Sequence, residues 1–159
     1  MISFTRSAPR PLRRWSAGLA ILGSLALVGL TGCSGAGGTV NVNLQEWAVV
    51  PSVASVEHGK VTFAATNKGP DDAHELVVFK TDLGVRDLPA SPEGKVDENG
   101  AGLKVIGEIE EIEVGKTGSA TFDLAPGRYV LVCNIVQDEP DGSKESHYLM
   151  GMSIEFTVK

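Results

Sequence analysis

GRYVLVCNIVQDEPDGSKESHYLMGMSIEFTVK, residues 127–159, holds two strand-like runs joined by a polar, acidic loop. In the first run Tyr129, Leu131 and Cys133 share one face and Val130 and Val132 the other, the two-residue period of a core strand. The second run begins at His147 and bends at Gly151. It then sets Met152, Ile154, Phe156 and Val158 inward against Ser153, Glu155 and Thr157. Two strands thereby bring a thiol, an imidazole and a thioether to the same end of a sheet.

A second imidazole completes a metal-ligand set. His74 opens HELVVFKT (74–81), where His74, Leu76 and Val78 share a face of another strong strand. His58 is the poorer choice, because it lies in the turn-forming EHGK, where a solvated side chain is expected. Two imidazoles and a thiolate with a distant thioether suit copper, since sulfur favours Cu(I) and imidazole also serves Cu(II). Met150 competes with Met152 for the thioether role, but Met152 lies in phase with the core face. Taken singly, a buried Cys, a strand-end His and a core Met each have structural explanations. What distinguishes them here is their joint placement.

Cys133-Asn134, then His147-Tyr148-x-x-Gly151-Met152, with His74 upstream on a hydrophobic strand, resembles the ligand pattern of the cupredoxin (blue copper, plastocyanin/azurin-like) family. The resemblance covers residues 40–159. It implies an all-β Greek-key β-sandwich, one copper ion held by His74, Cys133, His147 and Met152, and single-electron transfer through a partly exposed His147. Tyr148, Leu149 and Met150 would form the apolar surround, and the acids of the ligand loop, Asp138, Glu139, Asp141 and Glu145, would rim it. Two departures stand out. The segment between Cys133 and His147 is longer than in the plainest members of the family, and Glu75 follows His74 where plastocyanin-like proteins commonly carry a small or amide residue.

Residues 1–32 read as a targeting segment. Arg6, Arg10, Arg13 and Arg14 form a basic start without acids, and Gly18–Leu30 is an apolar run too short for a comfortable membrane span. Leu30-Thr31-Gly32-Cys33 resembles a bacterial lipobox, which implies that Cys33 becomes a lipid-modified anchor, followed by a flexible tether over residues 33–39. Arg13-Arg14 raises a twin-arginine export route, although Trp15-Ser16-Ala17 matches such signals poorly. The expected location is extracytoplasmic, anchored to the cell membrane by lipid. With Cys33 so used, Cys133 has no disulfide partner in the chain, and a lone thiol in an oxidising compartment needs burial or a metal.

Without residues 1–32 the chain keeps ten of its fourteen basic residues and all twenty acidic ones, a net charge of −10. This excludes the basic footprint of a nucleic-acid binder. It also argues against adhesion of the folded surface to anionic membrane, and leaves redox proteins or copper donor and acceptor proteins as the expected partners. No Ser/His/Asp ordering, phosphate-binding Gly-rich loop or HExxH motif points to an enzyme. A Cys133/His147 nucleophile pair would place its thiol on a core face. A catalytic zinc site would need an open fourth position, against which Met152 argues.

The remaining chain supports one sandwich of about seven to eight strands. Thr39–Val50 reads as a first strand with a bend or bulge near Trp47, where the phase slips, and Ser52–Val56 as a short second strand. Lys60–Asn67 continues the sandwich. Residues 68–73 form a loop into His74, and residues 82–103, rich in Gly and Pro, form a long excursion. In VIGEIEEIEV (105–114), Ile106, Ile109 and Ile112 recur every third residue, a helical hint; the Ile content and Gly107 favour a strand. Ser119–Leu124 is another strand, and Ala125-Pro126-Gly127 a tight turn into the Cys133 strand. Readings that remain beside electron transfer are a copper-holding or copper-delivering lipoprotein without redox turnover, and a metal-free cupredoxin-like interaction domain.

Overall fold

The structure, a computed structural model, describes residues 37–159. The targeting segment, Cys33 and the first part of the tether lie outside the described residues. The strands in chain order are β1 (Thr39–Gln45), β2 (Ala48–Pro51), β3 (Ser55–Val56), β4 (Gly59–Asn67), β5 (His74–Lys80), β6 (Lys104–Ile112), β7 (Thr117–Leu124), β8 (Gly127–Val132), β9 (Val136–Asp138), β10 (Lys144–Ser146) and β11 (Ser153–Val158). One helical turn, α1 (His147–Met150), precedes β11.

Two sheets face each other. One is ordered β2-β1-β4-β7 and the other β3-β11-β8-β5-β6, with β9 and β10 forming a separate ribbon. The core between them takes Val40, Val42 and Leu44 from β1, Val61, Phe63 and Ala65 from β4, Leu76 and Val78 from β5, Tyr129 and Leu131 from β8, and Phe156 and Val158 from β11. These are the alternate residues of each run, so side-chain period alone selects the inner face. The architecture is the all-β sandwich expected, with eleven strands because the first run divides and the segment between Cys133 and His147 adds β9 and β10.

The division is at Trp47. What reads in sequence as one bent strand is a hairpin: β1 pairs antiparallel with β2, Gln45 facing Ala48 across the two-residue turn Glu46-Trp47. The phase slip marks a chain reversal and not a bulge. That reversal lacks the Asn-Gly or Gly-X pair that usually announces a two-residue turn.

The threefold spacing of Ile106, Ile109 and Ile112 also has a sheet explanation. The pairing of β5 with β6 shifts register twice, between His74 and Leu76 and between Val78 and Phe79. Each extra residue moves the next inward position from i+2 to i+3. Ile109 and Ile112 are both buried and Ile106 packs against the same core.

β5 and β8 are buried on both faces. Outside the sandwich, Val77, Phe79, Val130 and Val132 form a second cluster with Leu88, Val96 and Tyr148. The 82–103 excursion supplies Leu88 and Val96, and Leu83, Val85 and Leu103 pack against it. It is therefore a cover over the outer face of the larger sheet. Among the described residues, no helix is long and apolar enough to cross a membrane.

Candidate metal centre

At one pole of the sandwich three donor atoms converge. The Nδ1 atoms of His74 and His147 are 3.1 Å apart. The sulfur of Cys133 lies 3.3 Å from His147 Nδ1 and 3.8 Å from His74 Nδ1. All three residues are fully buried, and together they form a group able to hold a metal ion.

Each side chain is placed by its backbone. Asn67, at the end of β4, organises the loop before His74: its Nδ2 donates to the carbonyls of Asp72 (2.7 Å) and Ile112 (2.8 Å), and its Oδ1 accepts from Gly69 N–H (2.7 Å). Cys133 follows β8 directly. Its N–H donates to Met152 O at 3.0 Å, and Met152 N–H donates to His147 O at 2.9 Å. These bonds tie three of the four expected ligands into one continuous framework. Ser146 caps α1 by accepting from Leu149 N–H at 3.1 Å, and Gly151 closes it at φ 121°, a conformation that suits glycine.

Met152 is fully buried beside Cys133 in the core, whereas Met150 is 48 % exposed. His58 lies just before β4, at the end opposite Asn67, and its Nδ1 lies 3.0 Å from the Lys159 carbonyl.

The long Cys133–His147 segment is absorbed by the β9–β10 ribbon. His147 N–H donates to Ile135 O at 3.0 Å, closing the ribbon's base so that the inserted residues project away from the centre. Of the acids expected to rim His147, Asp138, Glu139 and Asp141 are carried to the far end of that ribbon. Glu145 stays near, grouped with Asp72 around a ring nitrogen of His147. Gln137 Nε2 donates to both carboxylates, at 2.9 Å to Asp72 and 3.3 Å to Glu145.

His147 is not partly exposed as expected; its accessibility is 0 %. Trp47, from the tip of the β1–β2 hairpin, meets the imidazole edge to face with ring centroids 5.0 Å apart. The sequence signal for this cover was the phase slip at Trp47, and what hid it was the absence of turn chemistry there. Tyr148 also departs from expectation, since it packs into the outer cluster beneath the 82–103 excursion. Leu149 and Met150 are exposed at this end, as an apolar surround requires.

The electrostatics follow from burial. Desolvation pushes the Cys133 thiol up to about 12, against the opposing effect of backbone N–H donors from Glu75 and Ile135. Both imidazoles are held below the usual histidine range, chiefly by desolvation, and His74 further by its neighbour His147. The pole thus presents neutral imidazoles and a protonated thiol whose ionisation needs a nearby cation. Two ring nitrogens and a sulfur, crowded within hydrogen-bond distance at a buried site, are the donor set of a soft transition-metal ion.

Glu75 proves compatible with this centre. Its backbone N–H points to Cys133 Sγ at 3.4 Å, so the support for sulfur comes from the main chain whatever the side chain. Its carboxylate accepts from Asn134 N–H at 3.1 Å, and burial raises its pKa. Asn134 in turn exchanges hydrogen bonds with Val96, at 2.6 Å and 3.0 Å, pinning the 82–103 cover to the end of the Cys133 strand.

Auracyanin A from the green thermophilic photosynthetic bacterium Chloroflexus aurantiacus, described as a "blue" copper protein, superposes with a TM-score of 0.51 at 20 % identity, over 77 % of this chain and all of that one. Auracyanin B aligns at 0.50 and 20 % identity, over 77 % of this chain and 88 % of that one. The fold is the cupredoxin fold. No protein-family model and no curated protein sequence matches the chain. Within that fold the donor atoms of His74, Cys133 and His147 converge, and Met152 is buried in the adjoining core.

Proposed function

We propose that this protein is a type 1 copper protein that carries single electrons between extracytoplasmic protein partners, tethered to the membrane by a lipid on Cys33. The observation that carries this reading is the convergence of the Cys133 thiol and the two Nδ1 atoms of His74 and His147 at one buried pole. The shared fold with a "blue" copper protein supports it. A bound copper ion would alternate between one and two positive charges. The chain's part is to fix one set of donors acceptable to both charges, and the rigid framework through Asn67, Met152 and Ile135 supports that role.

Partner contact would fall at the same end. Leu149 and Met150 offer exposed apolar surface there. The net charge of −10 beyond residue 32 favours basic partner surfaces. Trp47, packed on His147, takes the place of an exposed imidazole between the centre and solvent.

Complete burial of both imidazoles favours a second reading, a copper-holding or copper-delivering lipoprotein without redox turnover. Stoichiometric titration with Cu(II) separates these. Electron transfer requires an intense visible band that reductant bleaches and oxidant restores quickly over many cycles. A band that forms but exchanges electrons slowly, with tight Cu(I) retention, supports the holding role. Absence of any such band rejects electron transfer, and absence of Cu(I) binding as well rejects both.

A further inference from the structure

The β1–β2 hairpin brings a second side chain to the pole. Glu46 enters beside Trp47, and its side chain is 10 % exposed. Its Oε1 accepts from the backbone N–H groups of Asp71 (3.2 Å) and Asp72 (2.9 Å), in the loop that delivers His74. The same oxygen lies 3.6 Å from His74 Nε2. The remaining oxygen, Oε2, is buried without a hydrogen-bond partner, and so is His74 Nε2.

Two buried polar groups left unsatisfied side by side are costly unless each serves the other. A carboxylate facing a ring nitrogen favours a proton on that nitrogen, because a lone pair there would meet the negative charge. A neutral imidazole with its proton on Nε2 has a bare Nδ1, and Nδ1 of His74 is the atom that faces Cys133 and His147. A carboxylate behind a ligating imidazole also makes the ring a stronger donor.

We propose that Glu46 is the positioning residue of this centre: it holds the His74 proton on Nε2, keeps the Nδ1 lone pair aimed at the metal position, and places a negative charge that favours the more highly charged oxidised state. This rests on the copper reading above. Nothing in the ligand pattern itself calls for it, since three strands, β2, β3 and β4, lie between Glu46 and His74 in the chain.

The test uses Glu46→Gln and Glu46→Asp in the full chain. Gln keeps an oxygen for the Asp71 and Asp72 N–H groups while removing the charge. Expected for Glu46→Gln are a retained visible band, Cu(II) affinity weaker by about 10–100-fold with Cu(I) affinity less affected, and a higher reduction potential. Glu46→Asp, charged but shorter, should recover part of that potential. Independently of copper, ¹⁵N NMR of the metal-free protein should show His74 as the Nε2–H tautomer in wild type and as a mixture in Glu46→Gln. An unchanged tautomer together with unchanged affinity and potential overturns the proposal. If wild type binds no copper the copper reading fails, while the tautomer measurement still decides whether Glu46 orients His74.

Discussion

The backbone N–H of Cys133 donates to the carbonyl of Met152 at 3.0 Å, extending the β8–β11 ladder by one rung beyond Val132 and Ser153. Opposed residues of an antiparallel pair project to the same face. The thiol and the thioether therefore enter the core together at the metal pole, while Met150 stays half exposed one turn away.

Met152→Leu should consequently shift the thiolate-to-copper absorption and raise the reduction potential, because the thioether donor is replaced by hydrocarbon. The near-equal volume keeps the stability cost below about 1.5 kcal/mol. Met150→Leu should leave spectrum and potential unaltered. Visible spectra and voltammetry of the two variants check this, and the reverse outcome would reassign the ligand.

Cu(II) binding at pH 7 should release about one proton per ion. The Cys133 thiol, pushed up to about 12, is fully protonated before binding and must ionise to ligate. His74 and His147, held below the usual histidine range, are already neutral and contribute none. Titration in weakly buffered solution with a pH indicator measures the count. Release of two or more protons would mean that an imidazole begins protonated.

The metal-free protein should lose stability as the pH falls below about 6.5. The sign follows from linkage: with native imidazole pKa values depressed, the unfolded chain binds more protons from about 6.5 downward, so stability present above that pH is lost through the depressed values. Glu75, raised by burial, acts in the opposite sense nearer the ordinary carboxylate range, so the imidazole effect is read on the neutral side of that range. Urea midpoints of apoprotein between pH 7.5 and 5.5 should fall, and a flat profile contradicts neutral burial of the pair.

Asn67→Ala should destabilise the fold by about 2–4 kcal/mol, since it leaves the Asp72 and Ile112 carbonyls and the Gly69 N–H without their partner. It should also weaken copper binding by loosening the loop that delivers His74. Denaturant unfolding and a competition titration read the two effects separately.

The ligand strands were legible because side-chain period, burial and residue chemistry agreed there. Cys133, Met152 and His74 each lie in phase with a hydrophobic run, and the structure brings the thiol and both predicted imidazoles together. The β1–β2 hairpin was not legible, because Glu46-Trp47 carries no turn residue and both flanks remain hydrophobic. The cost of that miss was local but functional. Trp47 buries His147 and Glu46 backs His74, and neither contact leaves a trace in the spacing of ligands. The isoleucine spacing in β6 was ambiguous by itself, since a bulged strand and a short helix both give a spacing of three; Ile content and Gly107 pointed to the strand that forms.

The central claim is that one copper ion sits on the sulfur of Cys133 between His74 and His147. Cu(II) titration of wild type and Cys133→Ser, followed by visible absorption and electron paramagnetic resonance, tests it most directly. Wild type should develop an intense visible band saturating at about one equivalent, with the narrow copper hyperfine splitting of a thiolate-bound site, and Cys133→Ser should lose both. A band that survives the substitution, or wild-type protein that stays colourless with copper, contradicts the account.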